Sequence, residues 1–454
     1  MPGGKSTRCR GSSRSTSTEF AAYFSGIWGS RWPGLYAELK KAASHVALCN
    51  PHVAGSHSLP GGLLPVAGLP AAVQLYSRQD AATCPYDPPE TDQCTGLKTY
   101  YWLDMASVMP PLLLDVVPGH AVLDMCAAPG GKTLVMAHCL FPPQLNTAHQ
   151  QDQQHPELQP QPPPSQQEPS QQQEPKQQQQ QQQESQQEPH PQQPELAGGL
   201  SQPPPLPLRS VLVANEPDPG RRARLARVLQ EQLPCALLNH PSLQPGLPAL
   251  HEGAATGPAG VRLLGQEGDK YFARGHEQEA YDRVLLDVPC SSERHVVQQA
   301  LAAARGQVSA SQWSVAGCRA LAGLQLQLLL AGLQALRQGG RLVYSTCSLA
   351  AVENDEVVAK ALARCPVGSL HIVLPGHPGY GLQSGALTGL FGAERTRYGV
   401  IVMPDAPQGS GPIYAAVLEK RGAIDKAALG VQLMRLPDNI SSDGSDDELE
   451  QAPG

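Results

Sequence analysis

Short apolar runs alternate with amphipathic helical segments from residue 97 to residue 345, and this alternation constrains the fold more than any other feature of the chain. The candidate strands are residues 121–125, 210–215, 261–264, 282–287 and 341–345. The candidate helices are residues 104–114, 132–140, the segment after Glu216 and residues 321–336. Strands that are apolar on both faces and separated by helices predict an α/β fold around a mostly parallel sheet that is buried on both sides. Residues 399–403 and 412–418 predict a closing hairpin.

Composition divides the chain further. The segments are a basic leader at residues 1–18, a small N-terminal region at 19–96, the α/β domain at 97–420 and an acidic tail at 421–454 that we expect to be disordered. The leader has no acid before Glu19, which is the pattern of a weak organelle transit sequence, and an unstructured basic start is the alternative. Residues 19–50 predict a helical pair whose second helix runs from Trp32 to Val46. Residues 51–96 predict loops or short strands.

A segment rich in Gln, Pro, Glu and Ser interrupts the α/β domain at residues 142–208. It has too little apolar surface to offset the entropy of ordering it, so we predict a disordered insertion. The insertion carries a net charge of −6, and the part of the tail from Pro437 onward carries another −6. Because the whole chain has a formal net charge of −7, the remainder carries +5. A mildly basic folded part permits a phosphate-rich partner, and an ordinary solvated surface is the alternative.

Eleven cysteines in a chain of 454 residues do not indicate a disulfide scaffold. None forms a Cys-x-x-Cys pair, and no Cys/His group has the spacing of zinc ligands, so we expect no metal site. The longest apolar candidate, residues 324–336, is shorter than a membrane span and is interrupted by glutamines, so we expect no membrane segment.

A glycine-rich turn follows the first strand of the domain, in residues 123–133 (LDMCAAPGGKT). A phosphate-binding loop of an NTPase needs a glycine five positions before its Gly-Lys pair, and Cys126 stands there, so the NTPase reading is disfavoured. A strand, a tight turn and a helix N-terminus predict a cofactor cradle instead. Glu216 ends the next strand, where a carboxylate accepts hydrogen bonds from a ribose diol; an ordinary acid at a helix start is the alternative. This combination suits S-adenosylmethionine.

Two cysteines follow later strands, in residues 287–290 (DVPC) and 345–348 (STCS). Thiols at neighbouring strand ends beside a cofactor cradle indicate covalent catalysis. The alternative for each cysteine alone is a small buried hydrophobe. Spacing does not decide which of the two thiols attacks.

The three motifs, in this order, resemble those of the Sun (NSUN) family of RNA cytosine-5 methyltransferases. The resemblance runs from about residue 20 to residue 420, apart from the insertion. Finer features resemble the mitochondrial branch of that family: they are residues 100–104 (YYWLD), 291–295 (SSERH) and 411–414 (GPIY). The Arg-His ending of the second is more similar to the ribosomal-RNA enzyme of that branch than to its transfer-RNA relative.

The resemblance implies a Rossmann-like, class I S-adenosylmethionine-dependent methyltransferase fold with a mostly parallel seven-stranded sheet. It implies that Cys347 is the nucleophile, that Cys290 helps to release the product and that Asp287 contacts the cytosine. The implied cofactor-binding residues are Cys126, Pro129, Gly130, Gly131, Lys132, Glu216, Arg221, Glu267, Gly268 and Asp287. Glu267 stands where the family usually has the shorter Asp.

The implied product is 5-methylcytosine in ribosomal RNA of the mitochondrion, with a mitochondrial transfer RNA as the alternative substrate and a plastid or nucleus as alternative locations. Candidate phosphate contacts are Arg221, Arg222, Arg224, Arg227, Lys40, Lys41, Lys98, Arg294 and His295. No appended RNA-binding module is visible, so residues 19–96 or a separate protein partner would choose the site. A catalytically silent RNA-binding ribosome-assembly factor is the alternative function. Binding alone needs neither thiol, which argues against it.

Overall fold

The structure, a computed structural model, describes residues 16–53, 62–78, 86–143, 209–239, 259–274, 277–303, 308–309, 311–382 and 384–424. Residues 1–15 of the predicted leader, residues 144–208 of the predicted insertion and the tail from residue 425 lie outside this described part.

The elements are numbered in chain order. The strands are β1 (His45–Cys49), β2 (Leu63–Pro65), β3 (Leu75–Arg78), β4 (Tyr100–Asp104), β5 (Ala121–Asp124), β6 (Val211–Asn215), β7 (Gly260–Leu264), β8 (Tyr281–Asp287), β9 (Leu336–Thr346), β10 (Leu370–Val373), β11 (Ala393–Arg395), β12 (Val400–Val402) and β13 (Ile413–Lys420). The helices are α1 (Thr16–Trp28), α2 (Trp32–Leu39), α3 (Met109–Leu113), α4 (Gly131–Leu140), α5 (Pro219–Gln232), α6 (Gly268–Tyr271), α7 (Glu293–Ala302), α8 (Val315–Ala335), α9 (Asp355–Arg364) and α10 (Ser384–Phe391).

The main sheet has the strand order β11-β12-β13-β9-β8-β5-β6-β7. The five strands from β9 to β7 are mutually parallel, and β13 runs antiparallel to β9. On its other side β13 pairs with β12 through its first residues and with β10 through its last. Seven strands therefore form the predicted, mostly parallel sheet, and β12 and β11 extend it. The antiparallel pairing of β12 with β13 confirms the predicted closing hairpin.

Alternate residues of the central strands enter two separate apolar layers. Leu123 packs into one layer with Leu329 and Leu333 of α8, whereas Val122 packs into the other with residues of α3, α4 and α5. Complete burial of such a side chain contributes about 1.5–3 kcal/mol. The strands consequently show apolar residues on both faces, which is the pattern that predicted a doubly covered sheet.

Helix α8 is long and apolar enough to cross a membrane by length and composition, but half of its apolar window is buried within the protein. Its leucines Leu329 and Leu333 have no exposed surface. The helix therefore has the burial of a core helix that covers one face of the sheet.

The N-terminal region contains more strand than its sequence predicts. Helices α1 and α2 confirm the helical pair, and the rings of Phe24 and Trp32 stack between them at 4.9 Å. The second helix ends at Leu39, however, and the prediction that it reaches Val46 is wrong, because Val46 lies in β1. Strand β1 is the inner member of a four-stranded antiparallel sheet in the order β2-β3-β1-β4.

The helix predicted at residues 104–114 is confirmed over most of its length, as a 3₁₀ turn at Met105–Val108 followed by α3. Residues 100–104 form β4, which pairs with β1 across the predicted boundary at residue 97. The Asp104 side chain accepts a hydrogen bond from the Ala106 amide at 2.7 Å and so begins the helical turn that leads to α3.

Candidate active site

The glycine-rich turn joins the end of β5 to the start of α4. Gly130 has a φ of +121°, and a Cβ there would lie 3.1 Å from side-chain atoms of Leu225 and Val228 on α5, so both conformation and space require glycine. The hydroxyl of Thr133 donates to the Asp124 carboxylate at 2.7 Å and ties the first turn of α4 to the end of the strand. The first amides of α4 lack partners within the helix and are available to a ligand.

Glu216, at the end of β6, is 2% exposed. One carboxylate oxygen accepts the Asp218 amide at 3.0 Å, and the other lies 3.4 Å from the Arg221 guanidinium. Arg221 also donates to the Ala128 carbonyl at 3.1 Å, so it links the second strand to the glycine turn. Asp218, not Glu216, caps helix α5, which removes the helix-start explanation for Glu216. Burial raises the pKa of Glu216.

Four other predicted cofactor residues differ in their surroundings. Gly268 is buried, and a Cβ there would lie 2.9 Å from the Met125 methyl carbon at the end of β5. Glu267 is mostly exposed, and its carboxylate pairs with Lys270. Cys126 is half-buried in the turn, with its pKa raised well above the usual value by burial and then by Glu216. Pro129 is exposed in the same turn.

The thiols of Cys290 and Cys347 lie in contact with each other. Strands β8 and β9 are parallel neighbours whose residues Asp287 and Ser345 stand in register. Cys290 and Cys347 follow these residues, and their Sγ atoms lie 2.8 Å apart. The amide of Cys347 lies 3.3 Å from the Cys290 Sγ, and the Ser292 hydroxyl lies 3.1 Å from the Cys347 Sγ.

The surroundings of the thiols are electrostatically asymmetric. The contact with Cys347, followed by burial, raises the pKa of Cys290 well above its usual value, so Cys290 keeps its proton. Burial by itself lowers the pKa of Lys132, but Asp287 and, more weakly, Cys347 outweigh it, so the net pKa is raised and Lys132 stays cationic. The Lys132 ammonium lies 2.8 Å from Asp287, whose other oxygen accepts the Ser345 hydroxyl at 2.7 Å. This arrangement can hold one thiolate beside one thiol and one cation.

A second titratable acid lies in the cradle. Asp124 is 1% exposed, and its pKa is raised to about 7, chiefly by burial. The hydrogen bond from Thr133 and the charge of Lys132 oppose this shift, whereas Asp287 and Glu216 contribute to it. Among the residues that the structure describes, no group of three or more His, Cys, Asp or Glu side chains is arranged to hold a metal ion.

Several polar contacts had no sequence-based prediction. Ser292 and Ser345 lie inside the quoted motifs, and their position beside a cysteine or a strand end was the only available signal. Glu293 and Glu353 are fully buried. Glu293 lies inside the quoted residues 291–295 without a predicted role, and Glu353 lies outside every quoted motif.

Arg294 is a predicted phosphate contact, but in the structure its side chain forms hydrogen bonds within the protein. Its guanidinium donates to the backbone carbonyls of Glu38, Lys41 and Gly411 at 2.6–3.1 Å. The sequence predicts a surface charge at Arg294 because it shows the positive charge of the residue but not the backbone carbonyls that the guanidinium contacts.

Comparisons with known proteins agree with this geometry. The model of a family described as 16S rRNA methyltransferase RsmB/F matches residues 262–414, which include both thiols. The 5-cytosine rRNA methyltransferase NSUN4 of Xenopus tropicalis is 30% identical over 287 residues, which are 63% of this chain and 47% of that protein. The mitochondrial tRNA (cytosine(34)-C(5))-methyltransferase of Mus musculus is 25% identical over 370 residues, 81% of this chain and 76% of that protein.

The chain spans about half the length of the Xenopus NSUN4 proteins that it matches. Among solved structures, that of PH0851 superposes with a TM-score of 0.52 at 16% sequence identity and covers 88% of this chain and 65% of that chain, which bears on the fold alone. The sheet order is that of a Rossmann-like, class I methyltransferase, as the motifs predicted. Fold, motifs and relatives agree, and the chain is similar to members of the Sun (NSUN) family of RNA cytosine-5 methyltransferases.

Proposed function

We propose that this chain is an S-adenosylmethionine-dependent RNA methyltransferase that forms 5-methylcytosine, with Cys347 as the nucleophile. The observation that carries the proposal is the pair of thiols 2.8 Å apart beside the Lys132–Asp287 ion pair. Methylation at C5 of cytosine needs a nucleophile at C6, because the carbon at C5 is otherwise too weak a nucleophile to accept a methyl group.

Addition and release have candidate residues in this chemistry. The Cys347 thiolate would form a bond to C6, and the electrons of the C5–C6 double bond would shift so that C5 takes the methyl group. The bond between the methyl carbon and the donor's sulfonium sulfur would break in the same step, and a neutral thioether would leave. Loss of the C5 proton to a base returns an electron pair to the ring, the C5–C6 double bond re-forms and the bond between C6 and Cys347 breaks. In this proposal Asp287 hydrogen-bonds the N3/N4 edge, and Cys290 assists release.

Ionising the nucleophile has a cost that the site reduces. A thiol with a pKa of about 8.5 costs about 2 kcal/mol to ionise at pH 7. The Lys132 ammonium, which lies within electrostatic range of Cys347, stabilises the thiolate. The protonated Cys290 offers a weak S–H donor to the same sulfur.

The cradle residues fit S-adenosylmethionine by their donor and acceptor chemistry. Glu216 has buried carboxylate oxygens that would accept hydrogen bonds from a ribose diol, and the first amides of α4, with Gly130 and Gly131, would bind the carboxylate end of the molecule. When bound, this cofactor would supply the electrophilic methyl group. Glu267 and Gly268 are the predicted contacts on the adenine side.

We propose ribosomal RNA of the mitochondrion as the substrate. The matched family is described by 16S rRNA methylation, and the NSUN4 relatives are named as rRNA enzymes. A second candidate, a mitochondrial tRNA, is favoured by the length of the match to the mouse mitochondrial enzyme, 81% of this chain. In either RNA the target base must leave its stack to reach the thiols, so a loop or single-stranded site is expected.

The test is methyl transfer by the full chain from labelled S-adenosylmethionine to transcripts of mitochondrial small-subunit rRNA and of mitochondrial tRNAs. We expect label in the rRNA, at a cytosine that bisulfite sequencing maps, and none with Cys347→Ala. Label in a tRNA anticodon alone would assign the second substrate. Cofactor-independent RNA binding without any methyl transfer would support the silent RNA-binding alternative and refute an enzymatic role.

A further inference from the structure

Two fully buried carboxyl groups contact the residues that follow the two cysteines. Glu293 begins α7, three residues after Cys290, and Glu353 ends a 3₁₀ turn six residues after Cys347. Both have no exposed surface. Buried acids of this kind are rare unless they are paired, and they require an explanation.

Serine hydroxyls bridge the two acids. Ser291, which follows Cys290, contacts one oxygen of Glu293 and one of Glu353. Ser348, which follows Cys347, lies 3.2 and 3.1 Å from the same two oxygens, and the hydroxyls are 3.0 Å apart. Four oxygen atoms thus meet, two from each thiol-bearing segment.

The remaining oxygen of each carboxyl group accepts a hydrogen bond from the backbone of the opposite thiol-bearing segment. Glu293, on the Cys290 side, accepts the Leu349 amide at 2.9 Å. Glu353, on the Cys347 side, accepts the Ser291 amide at 3.0 Å. Each acid therefore holds the backbone of the opposite segment within two residues of the other segment's cysteine. We call Ser291, Glu293, Ser348 and Glu353 the carboxyl brace.

The carboxyl brace contains more oxygen–oxygen contacts than its two hydroxyl hydrogens can supply with hydrogen bonds. Five oxygen–oxygen contacts are made within it, but the two hydroxyls supply only two hydrogens. Within the described residues neither acid forms an ion pair with a Lys, Arg or His, and two uncompensated buried charges are strongly unfavourable. One shared proton supplies a third hydrogen and removes one of the charges.

The donors around each acid indicate where the proton resides. Glu353 accepts the Ser291 amide and also the Gln325 side-chain amide at 2.8 Å, whereas Glu293 accepts one backbone amide. The charge is better stabilised on Glu353, so the proton belongs to Glu293. Burial, followed by the proximity of Glu353, raises the pKa of Glu293 to about 7, in agreement with that assignment.

We propose that Glu293 and Glu353 share one proton and act as positioning residues that fix the separation of the Cys290 and Cys347 sulfurs. Loss of the shared proton leaves two adjacent carboxylates, whose repulsion loosens the brace and separates the thiols. The inference rests on the proposed function only where methyl transfer is the readout, because the separation of the thiols can be measured without it.

The groups that face the brace from neighbouring elements do not titrate near neutral pH. Cys318 on α8 and Tyr344 on β9 have pKa values raised by burial and then by Glu353, and burial raises the pKa of Tyr23 on α1 to about 12. The pKa of Cys290 is also raised. A change in brace behaviour close to pH 7 is therefore assigned to Glu293.

The experiment compares Glu293→Gln, Glu353→Gln and the double variant in the full chain. The separation of the two sulfurs is assessed from the rate at which diamide oxidises the thiols to a Cys290–Cys347 disulfide. Diamide is reduced to the hydrazine in this reaction, and peptide mass spectrometry measures the disulfide that forms. The activity readout is kcat and KM for RNA. A single amide NH₂ can replace the shared proton, whereas two opposed NH₂ groups supply more hydrogens than the serines can accept.

We expect each single variant to stay within about threefold of the wild type at pH 7, and the double variant to lose about tenfold or more in disulfide rate and kcat with little change in KM. We also expect the ratio of the Glu293→Gln rate to the wild-type rate to rise between pH 6 and pH 8, because only the wild type loses the shared proton there. This pH ratio remains decisive if the double variant does not fold.

Val373→Ala, a buried change on β10, controls for simple loss of stability and should leave the disulfide rate of the folded protein unchanged. Additive, mild effects in the double variant together with a flat pH ratio would overturn the shared-proton proposal. If the disulfide rates follow the expected pattern while even the wild type transfers no methyl group to RNA, the brace stands and the proposed function fails.

Discussion

The Sγ atoms of Cys290 and Cys347 lie 2.8 Å apart, and the Cys347 amide faces the Cys290 sulfur at 3.3 Å. Two sulfurs this close cannot both carry a negative charge, so their ionisation is coupled. The contact with Cys347 and then burial raise the pKa of Cys290, so Cys290 keeps its proton. We expect the two cysteines to have distinct roles, which single substitutions can separate.

Cys347→Ala is expected to abolish methyl transfer, because the neighbouring thiol, Cys290, holds its proton. Cys290→Ala is expected to leave bond formation intact and to impair release, so a covalent protein–RNA adduct accumulates. The measurement is a band of reduced mobility on a denaturing gel with labelled RNA. An adduct with Cys347→Ala and none with Cys290→Ala would reverse the two roles.

Lys132→Met is expected to lower the reactivity of Cys347 and to reduce kcat by about ten- to a hundredfold, because the thiolate loses its cation and Asp287 loses its partner. The alkylation rate of Cys347 with iodoacetamide, followed across pH, is the direct measurement. Lys360→Met is a matched control, since Lys360 pairs with Glu356 at an exposed position. Equal alkylation rates in Lys132→Met and the wild type would show that the ammonium does not stabilise the thiolate.

Glu216→Ala is expected to weaken binding of S-adenosylhomocysteine by about ten- to a hundredfold, as hydrogen bonds to a charged group contribute roughly 1.5–3 kcal/mol. Calorimetric titration in the absence of RNA measures this directly. Glu394→Ala removes an exposed acid that pairs with Arg31 and should leave the affinity unchanged. Unchanged affinity in Glu216→Ala would place the ribose elsewhere in the cleft.

The parallel strands of the central sheet were predictable because most of their residues are buried on both faces, so each strand shows an apolar run in the sequence. Strand β1 was missed because its five residues are stabilised by pairing with β3 and β4, about 30 and 55 positions later in the chain. The apolar spacing of residues 32–46 fits a helix locally, and only this distant pairing overrides it. Local sequence patterns predict the burial of a residue more reliably than they predict which strands pair with each other.

The same distinction applies to the candidate site. The cysteines and the glycine turn are unusual residues in informative places, so their proximity could be proposed from strand order alone. Glu293 and Glu353 look like ordinary helix-start acids, and the sequence contains no sign that they meet. Their contact depends on the register of β8 with β9, which brings the segments after both strands together.

Arg294→Lys is expected to lower the melting temperature and to leave the salt dependence of RNA binding unchanged. The guanidinium donates to three carbonyls from two separate segments, and a lysine ammonium cannot reproduce that geometry. A residue that contacted phosphate would instead reduce the slope of log affinity against log salt by about one. Arg227→Gln, at an exposed position on α5, gives the comparison for a surface charge. A reduced salt slope in Arg294→Lys with unchanged stability would return Arg294 to the RNA-binding surface.

Buried acids make the stability of the protein depend on pH. The pKa of Glu293 is raised to about 7 from an ordinary value of 4.5, so between those values the folded protein holds a proton that the unfolded chain has lost. The free energy of unfolding therefore decreases as the pH rises through this window, by roughly 3 kcal/mol for this group, and the contribution is fully present below the unfolded value. Asp124, with a pKa also raised to about 7, acts in the same direction.

His138 opposes this trend, because burial lowers its pKa to about 3 and protonation of the unfolded chain below pH 6.5 disfavours folding. The difference between wild type and Glu293→Gln isolates the carboxyl. We expect the wild type to gain stability over this variant by about 2–3 kcal/mol as the pH is lowered from 7.5 to 5, measured by urea denaturation at each pH. Glu356→Gln, an exposed acid on α9, controls for the removal of one acidic group. A constant difference between wild type and Glu293→Gln would mean that Glu293 is ionised in the folded protein, and the brace would then lack its proton.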